Sequence, residues 1–488
     1  MSTSTASADA PVTVEISAGT TAHEVVAIAD GAPVRLAASA RQAIADMRAA
    51  ADRISDAHPT YGRSTGVGAN RTTVVEQAQE HGRMLVRSHA TDAGDPLPHR
   101  VVRAMVATRL VQLAQARSGI DPAVPDALVH ALNADALPVV GGYGSIGTGD
   151  LAALSAVALA LAGERATTAP LGTEPLRWGA DSALPFISSS ALTIARGVLA
   201  SEELRRLDAA GRVLYALAVV ALDGNSEAFS PAAVEAIAAP GVAEVGAEIR
   251  QLLAGHDAAP ARIQDPYGLR VYPIVQAALT TAVGRLDAQL AQLLAAGQEN
   301  PVFDAWAQTV THHGGFYQAQ LAGDLDAANL ALARSATNAH ARLRLTNEPA
   351  YTGLRPFLAV GPAGASGLMM LEYTAAAALA EIRAAAAPAS LGTIALSRGT
   401  EEDAGFATQG VAQLERAVEA YRIVLSCELL AVTRLLDQRG ATLPPGLQTI
   451  GGELRAAQPS HEDQDLRPPL QLASRLLDLL ATPASEPS

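Results

Sequence analysis

The 488-residue chain contains no lysine, and this absence restricts its chemistry more than any other feature of its composition. Without an internal lysine the chain cannot form a Schiff base with a carbonyl substrate, and it cannot anchor pyridoxal phosphate (PLP) through a lysine. A phosphate loop that depends on a lysine is excluded for the same reason. An enzyme of this sequence that acts on amines therefore needs another electrophile, or none.

Cysteine and aromatic residues are also scarce. The single cysteine, Cys427, excludes a disulfide framework and a cysteine metal cluster within one chain. It lies in a helical pattern, which predicts a core residue rather than a nucleophile. Aromatic residues make up only 3% of the chain against 49% hydrophobic residues, so the core must be built from Ala, Leu and Val. Such a core favours close-packed helices over sheets.

Net charge and the absence of a recognisable targeting pattern limit the partners and the location that the sequence predicts. The net charge of −14 argues against nucleic acid and against anionic membranes as partners. Residues 1–10 are rich in Ser, Thr and Ala without the pattern of a signal peptide, and they are predicted to form a disordered tail. No apolar run is expected to reach the ~18 residues of a membrane span. These features predict a cytoplasmic protein that does not associate with membranes.

The order of patterns along the chain predicts a mainly α fold. Two short strands, Val12–Ile16 and Pro33–Leu36, suggest a small N-terminal cap that is rich in loops. Helical periodicity then dominates, and several helices exceed 20 residues, which indicates a long-helix bundle. The predicted helices are 99–117, 151–162, 192–222, 231–253, 274–294, 317–346, 366–387, 405–438 and 466–480. The expected divisions after the tail are a cap and glycine-loop region at 11–163, a central bundle at 164–439 and a C-terminal helical segment at 440–488.

The stretch from Gly141 to Asp150 holds five glycines in ten residues and leads into an apolar helix. Backbone N–H groups of such a loop can bind an anion, which makes a dinucleotide site the first alternative. The preceding residues, 131–138, do not have the pattern of the strand that a dinucleotide fingerprint requires. The loop therefore needs a different explanation.

The string Gly144-Ser-Ile-Gly-Thr-Gly-Asp-Leu151 resembles the signature of the histidine and aromatic amino acid ammonia-lyase superfamily. In that family an Ala-Ser-Gly triad cyclises into an electrophile, methylidene-imidazolone (MIO). The loop here is one residue shorter and has no serine at the cyclising position, so Gly147, Thr148 and Gly149 take the place of the triad. The resemblance implies the long-helix bundle of the ammonia-lyase (fumarase/aspartase-like) type.

Two further motifs carry the same resemblance. Tyr61-Gly-Arg-Ser-Thr-Gly-Val-Gly68 resembles the loop whose tyrosine is the family's base; the alternative for Tyr61 is a structural tyrosine that anchors its hydroxyl. Residues 263–270, Ile-Gln-Asp-Pro-Tyr-Gly-Leu-Arg, resemble a motif in which a tyrosine lies beside the electrophile and an arginine binds the substrate carboxylate. This resemblance implies that Gln264 contacts substrate, that Tyr267 is catalytic and that Arg270 is the clamp, although Asp265 could instead pair with Arg270.

The remaining candidates concern the substrate side chain and the support of the electrophile. Ser88 and His89 resemble the Ser-His pair of the histidine-specific members, and Glu401 falls at their glutamate, with Glu402 as the alternative. Together they suggest a polar or imidazole-like substrate. Phe316 belongs to a turn in which Gly315 replaces an asparagine, and Ser188 replaces the second supporting asparagine; the resemblance makes Phe316 and Ser188 candidate substrate-binding residues. The positions that differ from the family pattern are therefore those that form or support the electrophile.

Three functions are compatible with this pattern. The first is an enzyme without MIO that uses acid–base chemistry for elimination, addition or isomerisation of a small carboxylate-bearing molecule. The second is an MIO-dependent ammonia-lyase or aminomutase in which Thr148 replaces the serine, and the third is a non-catalytic binding relative. No metal is expected, because His312 and His313 are adjacent in sequence and lack a cysteine or carboxylate at ligand spacing. No PLP is expected, because the chain has no lysine to anchor it. The resemblance and the long apolar helices imply a homotetramer with active sites built from several copies.

Overall fold

A computed structural model describes residues 12–456 and 460–481, so the predicted tail at 1–10 lies outside the described residues. The described chain is mainly helical, which confirms the predicted fold class. Its strands are β1 Val14–Ile16, β2 Val34–Leu36, β3 Ala93–Pro96, β4 Gly141–Tyr143, β5 Val302–Asp304 and β6 Thr309–Thr311.

Eighteen α-helices are found within the described residues. The first nine are α1 Ala22–Ala29, α2 Ala38–Ala57, α3 Ala78–His89, α4 His99–Leu113, α5 Ala123–Asn133, α6 Leu151–Leu161, α7 Ala183–Ile187, α8 Ala191–Ala221 and α9 Pro231–Ile237. The others are α10 Val242–Leu252, α11 Tyr267–Arg270, α12 Tyr272–Leu294, α13 Ala319–Asn347, α14 Pro349–Thr352, α15 Met369–Ala385, α16 Ala407–Gln438, α17 Pro445–Ala456 and α18 Arg467–Leu480. Short 3₁₀ turns lie at Gly68–Asn70, Ser226–Phe229, Pro356–Leu358, Ala389–Leu391 and Ser397–Gly399.

The two predicted N-terminal strands are present and pair with each other. β1 and β2 run parallel, with Val14 opposite Val34 and Ile16 opposite Leu36. The connecting helix α1 begins with a capping box, in which Thr21 and Glu24 satisfy each other's backbone N–H groups. This local signal explains why a short helix fits between two three-residue strands.

The long helices agree with the predicted periodicity, and their composition explains their burial. α8 has 31 residues and α16 has 32, and both are rich in Ala and Leu. One helical stretch of the described residues, 183–221, is long and apolar enough to cross a membrane by length and composition alone, which corrects the expectation that no apolar run reaches that length. Its apolar window is entirely buried within the protein, as expected for a core helix.

The structure differs from the expectations at one predicted helix and at one hairpin. The single helix predicted over 231–253 is two helices, α9 and α10, because Pro240 cannot continue a helix and Ala238 and Gly241 adopt left-handed conformations. The hairpin of β5 and β6 is not expected from the sequence. Only Phe303 and its neighbours show the alternation typical of a strand, and the whole hairpin is only ten residues long. Phe303 is buried against Ala51 and Ile54 of α2, which explains why the hairpin forms.

The chain divides into two compact units, each built from three segments. The first unit contains the described residues up to Leu199 together with Asp287–Gly323 and Ala389–Val411. The second contains Ala200–Leu286, Asp324–Pro388 and the described residues from Ala412 onward. Cys427 lies in α16 and is fully buried, and burial raises the pKa of its thiol to about 12. This agrees with its prediction as a core residue.

Candidate active site

The glycine-rich loop lies in the first unit and is held tightly against the start of α16. It begins in β4, which pairs antiparallel with β3, and ends where Leu151 starts α6. Gly147 and Gly149 have φ values of +84° and +110°. A Cβ at residue 147 would approach the backbone nitrogen of Ala407 to 2.7 Å, so this position requires glycine for space as well as for conformation.

Thr148 lies at the centre of this loop and contacts an acidic side chain. Its Oγ1 donates a hydrogen bond of 3.1 Å to Oε2 of Glu401. Both residues are half-buried, whereas Glu402 is exposed. Of the two candidate glutamates, the structure therefore places Glu401 against the loop.

Tyr61 is part of the same unit, and its hydroxyl is already engaged. Its oxygen accepts a hydrogen bond of 2.7 Å from the backbone N–H of Gly68. Burial raises the pKa of Tyr61; the Gly68 N–H opposes this shift, and the negative charge of Glu401 adds to it. A base at neutral pH needs the opposite direction, so the isolated chain does not prepare Tyr61 for that role.

Ser88 and His89 form the end of α3. Ser88 Oγ lies 3.1 Å from Nδ1 of His89, and the same nitrogen is 2.9 Å from the carbonyl oxygen of Leu85. The pair lines a cavity of about 630 Å³ together with Gly66 and Val67 of the loop that begins at Tyr61. The two motifs therefore share one cavity, which both polar and apolar side chains line.

Ser188 and Phe316 belong to another cluster of the first unit, whose neighbour His312 accepts the backbone N–H of Tyr61 at 3.2 Å. Ser188 is buried, and its hydroxyl accepts the backbone N–H of Asn300 at 3.2 Å. Asn300 in turn accepts the N–H of His313 at 2.9 Å, and the His313 ring stacks on Phe316 with centroids 6.3 Å apart. No hydrogen bond joins this cluster to Thr148 among the described residues.

Tyr267 and Arg270 lie in the second unit and form the single turn of α11. The guanidinium of Arg270 is 4.6 Å from the centroid of the Tyr267 ring, and its Nε donates to the carbonyl oxygen of Asp265 at 3.1 Å. The Asp265 carboxylate pairs with Arg262 at 2.7 Å, so the alternative of an Asp265–Arg270 salt bridge is wrong. Arg270 forms no salt bridge within the described residues and lines a cavity of about 450 Å³ with the exposed Gln264.

Sequence reasoning missed the side chains that hold this turn. Asn338 Nδ2 donates to the carbonyl of Tyr267 at 3.1 Å, and Tyr215 donates to that of Leu269 at 3.1 Å. Arg342 donates to the intervening carbonyl of Gly268 at 3.3 Å and pairs with Glu428 at 2.6 Å, both side chains being at most 1% exposed. The available signal was charge within apolar helices, because a buried arginine and glutamate require partners.

The comparisons with known proteins cover most of the chain. The family model for aromatic amino acid lyases matches residues 20–457, and the chain belongs to this family. The histidine ammonia-lyase of Deinococcus radiodurans is 32% identical over 465 residues, covering 90% of this chain and 88% of the relative. That of Streptomyces griseus is 32% identical over 468 residues, covering 90% and 91%. The prediction that the chain is a lyase is confirmed.

Solved structures show the same fold at lower identity. The histidine ammonia-lyase from Trypanosoma cruzi has a TM-score of 0.88 at 24% identity and covers 96% of this chain and 93% of its own. Ergothionase from Treponema denticola, in complex with desmethyl-ergothioneine sulfonic acid, has a TM-score of 0.88 at 20% identity, with 96% and 99% covered. The phenylalanine aminomutase of Pantoea agglomerans has a TM-score of 0.89 at 23% identity, with 95% and 98% covered.

The loop does not fit the Ala-Ser-Gly motif from which MIO forms in the family. Position 147 has no space for the alanine side chain, since the backbone of residues 406 and 407 occupies it. The central residue is Thr148, whose β-carbon carries a methyl group in addition to the hydroxyl. Among the described residues no group of three His, Cys, Asp or Glu side chains could hold a metal ion.

Proposed function

We propose that the protein acts on a small, amino acid-like carboxylate without MIO, by acid–base elimination, addition or isomerisation. The observation that carries this proposal is the Thr148–Glu401 hydrogen bond, with the Tyr61 phenol within the electrostatic reach of Glu401. The loop keeps the Thr148 hydroxyl, paired with the Glu401 carboxylate, where the family's motif places an electrophile. In this proposal a polar or imidazole-type side chain of the substrate occupies the cavity lined by Ser88 and His89.

The proposed roles follow from the side chains. Arg270 binds the substrate carboxylate, because its guanidinium lacks a salt bridge within the described residues and can donate two parallel hydrogen bonds. In an elimination Tyr61 takes the proton from the carbon next to the one that carries the leaving group, and Tyr267 donates a proton to the departing group. In the proposed homotetramer these groups are supplied by several copies of the chain.

The raised pKa of Tyr61 predicts how the reaction rate depends on pH. Because burial and the Glu401 charge raise this pKa, only a small fraction of the phenol is ionised near neutral pH, and the rate of a reaction that uses it as base rises with pH. The hydrogen bond from the Gly68 N–H favours the phenolate and limits the rise of the Tyr61 pKa.

Cytoplasmic localisation remains a prediction from the sequence.

The names of the relatives favour a second candidate, an MIO-dependent histidine ammonia-lyase or aminomutase in which Thr148 supplies the dehydrated residue. The two candidates differ in their response to nucleophiles. An electrophile in the site is quenched by borohydride, whereas acid–base chemistry by tyrosine is unaffected.

The test incubates the enzyme with L-histidine, L-phenylalanine and L-tyrosine, and separately with their deaminated acrylates plus ammonia, and detects products by mass spectrometry. We expect turnover that survives borohydride treatment. Loss of all turnover after borohydride would overturn the proposal in favour of an electrophile. Binding of these compounds without any turnover would instead indicate a non-catalytic binding protein.

A further inference from the structure

Ser145 holds both sides of the glycine loop around Thr148. Its Oγ accepts the backbone N–H of Gly147 at 3.3 Å and donates to the carbonyl oxygen of Gly149 at 3.2 Å. Ser145 therefore contacts the backbone of the residues on both sides of Thr148. The position of the Thr148 hydroxyl depends on how firmly Ser145 is fixed.

A row of buried hydroxyls connects Ser145 to an acid. Ser145 Oγ lies 3.0 Å from Oγ1 of Thr408, which lies 2.7 Å from Oγ1 of Thr193. Thr193 Oγ1 is 3.0 Å from Oδ1 of Asp150, and its backbone N–H donates to Oδ2 at 2.8 Å. Thr193, Thr408 and Asp150 are at most 4% exposed, so water does not compete for these bonds.

We propose that Thr408 is a positioning residue, which fixes the Thr148 loop by joining Ser145 to Thr193 and Asp150. This inference rests on the proposed function only in taking Thr148 as part of the site. The row links three elements that are far apart in sequence: the loop itself, α8 through Thr193 and α16 through Thr408. Neither a motif nor helical periodicity assigns a role to either threonine.

The direction of the bonds fixes the end of the row at Asp150. Thr193 donates to Oδ1 of Asp150 through its hydroxyl and to Oδ2 through its backbone N–H, so the acid holds Thr193 at two points. The hydroxyl oxygen of Thr193 is then left to accept a hydrogen bond from Thr408. Ser145 has one proton, which is shared between Thr408 and the Gly149 carbonyl.

The test is amide hydrogen exchange of the full chain, read by mass spectrometry on peptides that cover residues 141–151. Thr408→Val keeps the shape and removes the hydroxyl, and it should accelerate exchange in this loop about tenfold, while Thr408→Ser restores protection. The matched control is Thr433→Val on the same helix; within the described part of the chain its hydroxyl donates to the Leu429 carbonyl alone, at 2.7 Å. The control should leave the loop unchanged.

A second variant keeps the proposal testable if Thr408→Val does not fold. Ser145→Ala breaks the other end of the row and also removes the bonds to Gly147 and Gly149, so by itself it should accelerate exchange in the loop at least as much. When both variants fold, the double variant should exchange no faster than Ser145→Ala alone, because Thr408 acts on the loop through Ser145. Wild-type protection of the loop in Thr408→Val or in Ser145→Ala, or additive effects in the double variant, would overturn the proposal. The measurement needs no substrate, so its failure is distinguishable from failure of the proposed function.

Discussion

Arg270→Lys should weaken carboxylate binding although it preserves the charge. The Arg270 Nε is held by the Asp265 carbonyl, which leaves the two terminal nitrogens for a ligand. Lysine retains one ionic contact and loses the second parallel hydrogen bond, worth about 1.5–3 kcal/mol for a charged partner. The expected increase in Kd is therefore about 10- to 150-fold. Lysine also loses the planar contact with the Tyr267 ring at 4.6 Å.

Isothermal titration calorimetry with L-histidine, L-phenylalanine and their deaminated acrylates measures this effect. The control is Arg285→Lys, which alters an arginine that is 65% exposed and pairs with Asp324 at 3.2 Å. The control should bind every ligand as the wild type does. If Arg270→Lys binds within twofold of the wild type, the carboxylate is held elsewhere and the role of Arg270 is refuted.

Three further predictions concern the base, its electrostatic neighbour and the assembly. Tyr61→Phe should leave binding nearly intact and lower turnover by about 10²–10⁴-fold in steady-state assays; full turnover would exclude Tyr61 as base. Glu401→Gln removes a charge that raises the Tyr61 pKa, so the rising limb of the pH–rate profile should move to lower pH, and a shift to higher pH would contradict this assignment. Light scattering at micromolar concentration should give the mass of a homotetramer, and a monomer would refute shared active sites.

The fold could be predicted from the sequence because long helices carry periodic signals over many turns. α8, α12, α13 and α16 each begin and end within about two residues of the predicted bounds. The break between α9 and α10 depends on Pro240 and Gly241, which the periodicity of the flanking residues obscured. The hairpin at Val302 was missed because its formation depends on packing against α2.

The candidate site was predictable where a motif is contiguous. The glycine loop, the Tyr61 loop and the 263–270 string are short and specific, and each could be identified without a structure. The contact between Thr148 and Glu401 spans 253 positions and could be resolved only in three dimensions. The donors to the carbonyls of α11 lie on other helices; a charged residue such as Arg342 within an apolar helix indicates that a buried partner exists, but the sequence does not identify that partner.

The most direct test of the central claim is the intact mass of the purified native chain. Forming MIO from Gly147, Thr148 and Gly149 releases two water molecules, whereas the proposed enzyme keeps the Thr148 hydroxyl that donates to Glu401. We predict the full mass given by the 488-residue sequence, after allowance for removal of the initiator methionine. A mass lower by two waters, localised to the peptide that contains Thr148 and accompanied by new near-ultraviolet absorbance, would contradict the proposal of an MIO-free enzyme.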